Sequence, residues 1–184
     1  MLAARTGRLD IAQLLVAAGA RRELVDSGGS TALLVHCSAP APPQPQLVQL
    51  LATSRSVDTV CGAGWWPLLA LVARDRGDQQ LVAQCVAAVL RAGADPSLAT
   101  PLGCSPLHLA LHRGCWGTGA VLVRAGAEVG GALLGLALAR GNTAMASLLA
   151  AAGARPALSS AQRCVAVISV EVKCIYFCWQ APAK

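Results

Sequence analysis

Two cysteines bracket two histidines in the stretch GCSPLHLALHRGC, Gly103 to Cys115: Cys104, His108, His112 and Cys115. Cysteine and histidine are the usual ligands of zinc, so the first question is whether these four could share an ion. His108 and His112 stand one helical turn apart, which would let both imidazoles face one metal. The cysteines do not fit that picture. A helix of about seven residues is ~10 Å long, whereas a tetrahedral zinc holds its ligands at about 2.0–2.3 Å. Cys104 precedes the helical stretch and Cys115 follows the glycine that ends it, so both thiols cannot reach one centre. Cys174 and Cys178, four apart near the C-terminus, lack two further ligands at zinc-module spacing and read as free thiols. No metal and no cofactor is expected, and a Cys/His metal-binding regulatory module is kept as an alternative.

Catalytic chemistry has no better footing. None of the three histidines, His36, His108 and His112, has a motif that pairs it with a nucleophile. No glycine-rich phosphate loop follows a strand, because the glycines punctuate helix ends instead. The chain is not read as an enzyme.

The elements that carry these residues repeat. A Gly-Ala pair closes an apolar run in LLVAAGA (14–20), AVLRAGA (88–94), VLVRAGA (121–127) and LLAAAGA (148–154), while LLATSRS (50–56) fits the frame with Arg55 in the glycine slot. A second glycine precedes the pair by 12 residues at Gly7–Gly19, Gly114–Gly126 and Gly141–Gly153, with a short Ala/Leu segment before it. The unit is a short helix, a glycine turn, a longer helix, a glycine stop and a loop. Left-handed glycines are expected to close both helices of each hairpin.

At this point the chain resembles the ankyrin repeat family. CSPLHLALHRG is close to that family's T-P-L-H-x-A core, with Ser105 where threonine is usual, followed by Pro106, Leu107, His108 and Ala110; RAGADPS at 91–97 is similar to its G-A-D-x-N helix ending. Ser105 is a good N-cap and Pro106 at the first helical position gives up an amide hydrogen the helix could not use. Leu107, Ala110 and Leu111 form one packed stripe, and Gly114 and Gly126 close the two helices of this best-matching repeat. The expected fold is all-α, an ankyrin-repeat α-solenoid of stacked helix-turn-helix units. Its repeats cover roughly residues 1–28, 29–61, 62–100, 101–129 and 130–157, and a divergent tail covers 158–184. In the family the histidine of the motif is structural, bonding near the cap. The Gly126–Leu133 interval is short, so repeat five is expected to lack the protruding β-hairpin finger. SAPAPPQPQ, Ser38–Gln46, has four prolines and predicts an enlarged turn before a helix beginning near Leu47.

Counting back from Gly7 puts Met1 in the slot of His108, so the first repeat is expected to be cut short. The chain then reads as a possible isoform or fragment of a larger ankyrin-containing protein. A ubiquitin-ligase substrate receptor or a zinc-domain protein would carry its activity elsewhere. The tail also departs in composition, holding both lysines, the single Tyr and the single Phe. Its segment 165–172 alternates like a strand.

What the resemblance implies for function is a non-catalytic scaffold or adaptor that binds another protein, with fingers and first helices lining a groove. Trp65 and Trp66 sit at the entry of repeat three, where exposed tryptophan would be a partner contact; the bland reading has them covering the neighbouring repeat. Of the basic residues all but Lys173 and Lys184 are Arg, and the formal net charge is +6. Arg5, Arg8, Arg74, Arg76, Arg113 and Arg140 fall at turns between paired helices and would line one edge. An acidic partner there is weighed against a merely solvated edge. Basic residues without interleaved aromatics do not suggest nucleic acid.

Composition agrees with this class. Apolar residues make up 55% of 184 residues, yet aromatics only 3%; such Ala- and Leu-rich chains favour helix over sheet. No apolar run reaches the ~18–20 residues of a membrane span. Asp10 and Gln13 interrupt what would be the apolar core of a signal peptide. Eight cysteines without regular spacing suggest reduced thiols and an intracellular location, cytoplasmic or nuclear.

Overall fold

A computed structural model describes residues 1–74, 78–101 and 103–155. The expected tail, with Cys174, Cys178 and the alternating segment 165–172, lies outside the described residues, as does Arg76. Among the described residues the regular structure is ten helices: α1 Leu2–Thr6, α2 Leu9–Ala17, α3 Ala32–Ser38, α4 Pro45–Leu51, α5 Pro67–Ala73, α6 Gln79–Arg91, α7 Pro106–Arg113, α8 Trp116–Arg124, α9 Gly131–Ala139 and α10 Thr143–Ala151. The one β feature among them is an isolated bridge between Val25 and Thr31. The architecture is all-α and repeat-like.

Helices of five to nine residues, as all but α6 are here, are marginal in water by themselves. Packing must supply what length does not. Each odd-numbered helix turns back on the even-numbered one that follows, and the resulting hairpins stack in chain order. One row runs α1–α3–α5–α7–α9 and the other α2–α4–α6–α8–α10. The core is the seam between the rows. Leu33, Leu68 and Leu107 occupy one equivalent position in three successive hairpins and are all fully buried. Fully burying such a side chain stabilises by about 1.5–3 kcal/mol. In the second helices the equivalent position, four residues before the Gly-Ala glycine, holds Leu15, Leu51, Val89, Leu122 and Leu149. The last four are buried, whereas Leu15 is 48% exposed.

The ends of the helices explain the glycine frame. Gly114 closes α7 at φ 75°, and its neighbour Cys115 donates its N–H to the carbonyl of Ala110 at 2.8 Å. Left-handed backbone of this kind strains any residue with a Cβ, and positive φ is confined to glycines among the described residues. After second helices the Gly-Ala pair makes the same six-to-one bond four times: Ala20 to Leu15, Ala94 to Val89, Ala127 to Leu122 and Ala154 to Leu149, each amide donating at 2.9–3.3 Å. α4 has no glycine and ends differently. Ala52 is extended, and the fully buried Ser56 hydroxyl accepts from the Thr53 amide at 2.9 Å while donating to the Leu51 carbonyl at 3.3 Å. A serine does here what Arg55 in the glycine slot could not. The proline-rich segment is an enlarged turn, and Pro45 takes the first position of α4, two residues earlier than expected.

Two glycines in α8 separate packing from propensity. Gly117 is exposed with open space around a would-be Cβ, whereas a Cβ on Gly119 would sit 3.0 Å from Leu111 Cδ2 and 3.2 Å from Met145 Cε. Gly119→Val is expected to destabilise the fold by about 1–3 kcal/mol through overpacking. Gly117→Ala, which relieves only the backbone entropy of glycine, should instead stabilise by up to about 1 kcal/mol. Urea unfolding midpoints of the two variants must therefore move in opposite directions from wild type.

Candidate functional site

The stack has two long edges, one made of the turns inside hairpins and the other of the loops between them. On the turn edge each first helix leaves C-terminal carbonyls without intrahelical donors. For α1, α3 and α5 the next hairpin supplies donors. His36 Nδ1 meets the Ala4 carbonyl at 2.9 Å, and Gln44 Nε2 donates to the Gly7 carbonyl at 3.0 Å. Arg74 Nη1 donates to the carbonyls of Cys37 at 2.9 Å and Ala39 at 2.5 Å, and its Nη2 to that of Ala41. Arg113 Nη2 donates to the carbonyl of Arg74 itself at 3.0 Å. A planar guanidinium with five donors suits such a cluster of carbonyls.

Of the arginines expected to meet a partner, Arg74 is therefore committed to the preceding turn and is part of the architecture. Arg8 pairs with Asp10, its Nη2 2.8 Å from the carboxylate, which holds Asp10 at about 2, well below the usual carboxylate range. Arg5 and Arg140 are exposed. Arg140 and Arg113 both disfavour a proton on His112, adding to the effect of its burial.

On the loop edge three tight turns stand in a row. In the first, Asp26 N donates to Ser30 O at 3.0 Å; in the second, Cys61 N to Trp65 O at 2.9 Å; in the third, Thr100 N to Cys104 O at 3.0 Å. Gly29, Gly64 and Gly103 take the same left-handed position in them. Gly62 N donates to Gly28 O at 2.9 Å and so links the first turn to the second. No equivalent turn lies between α8 and α9, where six residues separate Arg124 from Gly131. Each turn is preceded at one equivalent position by Val25, Val60 or Ala99, all exposed; Val25 is 53% and Val60 51% open, with Leu24 at 51% beside them. Exposed β-branched residues recurring in register form a stripe a partner could cover.

The stripe was hidden from sequence reasoning, which fixed on tryptophan. Counting four residues back from each turn glycine would have found Val25 and Val60. Trp66 is only 2% exposed and belongs to the core, so of its two readings the partner contact is corrected and the packing one stands. At the N-cap position of α5 it faces inward, where its indole adds apolar burial, and no partner for its Nε1 is seen. Trp65 is half-buried, packing against the core at the edge of the second turn.

The Cys/His cluster serves α7. Ser105 caps the helix, its Oγ accepting from the His108 amide at 3.4 Å and lying 2.8 Å from His108 Nδ1. Burial pushes the His108 titration point below that of free imidazole, opposed by Glu128. Cys104 is buried at the other side of the cap. Among the described residues no group of three or more His, Cys, Asp or Glu is placed to hold a metal. Burial raises the thiols of Cys37, Cys85 (pushed up to about 11) and Cys115, so at neutral pH they are protonated and weakly nucleophilic. An open hollow of about 500 Å³ lies under the loop after α2, lined by Val16, Gly19, Arg21, Arg22 and Glu23. Arg22 is turned to the carbonyl of Leu50 at 2.9 Å rather than into it. No helix among the described residues is long and apolar enough to cross a membrane.

Removing the Arg74 guanidinium strands three carbonyls of one turn. Arg74→Leu is expected to lower stability by about 2–3 kcal/mol, the scale of hydrogen bonds to a charged group. Arg74→Lys should restore less than half of that, since an ammonium cannot span the three acceptors. Urea titrations read both.

No protein-family model matches the chain, and no curated protein matches it.

Proposed function

We propose that the chain is a non-catalytic protein-interaction scaffold of the ankyrin-repeat type, and that its partner is a protein bound along the loop edge. The observation that carries this reading is the register of the stack. Among the described residues five hairpins lie in chain order, and the three turns between the first four share one hydrogen-bond pattern, with exposed Val25, Val60 and Ala99 at equivalent positions. The Ser105–Pro106 start of α7 and the glycine-closed helices support the family assignment. Core-like aliphatic residues exposed in a repeating row contribute nothing to the fold's own core, while a covering partner would gain their burial.

Two charges placed in that row are the test. In Val25→Glu with Val60→Glu, proteins enriched on the wild-type chain by proximity labelling in cells should fall by about tenfold or more. The urea midpoint should stay within about 0.5 kcal/mol of wild type, as for most surface changes. An enriched set identical in the variant and the wild type would overturn this assignment of the surface.

A further inference from the structure

We propose that His36 is a proton-operated latch that joins the first hairpin to the second and releases it when the imidazole gains a second proton. The latch is an interface between elements rather than a single bond. His36 is 0% exposed within α3. Its Nδ1 lies 2.9 Å from the Ala4 carbonyl, which can only accept, so Nδ1 carries the hydrogen. Its Nε2 lies 3.2 Å from the Gln44 amide, which can only donate, so Nε2 carries none. The two partners fix one neutral tautomer. A second proton would sit on Nε2 and point at the Gln44 N–H, turning a bond into a contact between two donors. Gln44 is also the residue whose side chain holds the Gly7 carbonyl of the first hairpin. Displacing Gln44 therefore undoes the attachment at Gly7 and leaves α1's end held at Ala4 alone, by Nδ1 of a ring that Gln44 no longer orients.

The charges around the site oppose the imidazolium. α3 packs against α1, α4 and α5. α1 brings Arg5 and lies beside the amino terminus at Met1; α4 and α5 contain no titratable residue; Arg74, directly after α5, bonds the carbonyls of the same turn. The nearby thiols Cys37 and Cys85 are held neutral by burial. The group titrates below the ordinary 6.5 of imidazole, chiefly because burial disfavours the cation; the Ala4 carbonyl opposes this and Arg74 adds to it. A depressed histidine binds its proton more readily when unfolded. The stability it contributes is full above pH 6.5 and is lost as pH falls below that value toward the folded titration point. The loss should be local. α1 has five residues, and α1–α2 already expose Leu2, Leu14 and Leu15, so this hairpin is held by the least packing. The release is a property of the stack and stands whether or not a partner covers the loop edge. Its consequence for binding, removal of Val25 from the row, rests on the proposed function.

Hydrogen exchange of the full chain, corrected for intrinsic rates, tests the latch. Between pH 7.5 and pH 5.0 the amides of α1 and α2 should lose protection by about tenfold, while those of α8 and α10 change by less than about twofold. In His36→Gln, which cannot titrate, the N-terminal loss should shrink to less than about twofold. An equal loss in His36→Gln, or a loss spread evenly over all ten helices, overturns the proposal. If circular dichroism shows that the variant fails to fold, NMR of the wild type decides. The His36 ring must titrate together with the amides of Gln44 and Gly7, and a ring that titrates while those amides stay put also overturns it. Loss of partner labelling with the exchange pattern intact would count against the binding surface alone.

Discussion

A helix leaves carbonyls bare at its C-terminus, and in this chain carbonyls at the ends of α1, α3 and α5 are satisfied from the following hairpin. The Ala4 and Gly7 carbonyls are met by His36 and Gln44, those of Cys37, Ala39 and Ala41 by Arg74, and that of Arg74 by Arg113. An unpaired backbone group at a half-buried edge costs about 1–3 kcal/mol. The second, third and fourth hairpins therefore finish their predecessors chemically as well as covering their apolar sides. Stacking and capping become one event, and chain order becomes stacking order.

This accounts for what was legible in the sequence. Gly7, Gly114 and Gly141 gave the first-helix turns because left-handed backbone has few alternatives to glycine; the four Gly-Ala pairs gave the second-helix stops for the same reason. Ser105 and Pro106 announced the start of α7. Where glycine is missing, at the ends of α3, α4 and α5, the chain uses side chains reaching across space or along the loop. A serine hydroxyl at position 56 or a guanidinium at position 74 has no periodic signature. Arg74 and Arg113 looked like a surface stripe because a sequence places them at turns without saying that the guanidinium lies over the preceding turn. Trp66 misled in the same way. A large aromatic next to a glycine-rich turn satisfies the pattern of an exposed anchor and of a core residue equally well, and only burial distinguishes them.

The two edges also differ in how they hold the hairpins together. Buried or half-buried side chains, His36, Gln44, Arg74 and Arg113, bridge the turn edge through several bonds each or in pairs. The loop edge is joined mostly by single bonds from backbone amides: Gly62 to Gly28, Asp95 to the Asp58 carboxylate, and Glu128 to Ser97 Oγ. Val25, Val60 and Ala99 beside those bonds are exposed. Substitution at Val25, Val60 or Ala99 disturbs no acceptor and no core contact, so that edge can vary without unfolding the stack. Binding surfaces commonly lie on loops that a rigid scaffold positions, and the loop edge is where the proposed partner would sit.

The ends of the stack are the remaining consequence of the same constraint. A capping side chain from hairpin n+1 can serve hairpin n, but nothing in that scheme covers the outward side of α2. Leu14 on α2 is 71% exposed and Leu2 on α1 69%, whereas the exposed positions of α10 include Ala144, Ser147, Ala150 and Ala151. Small residues on α10 leave little apolar area to hide, unlike the exposed leucines of α1 and α2. The first hairpin has apolar area to lose on its free side and depends on His36 and Gln44 on the other. Local stability in a stacked repeat is approximately a sum of unit and neighbour terms. The unit with one neighbour, the shortest helix and a titratable bridge must then open first.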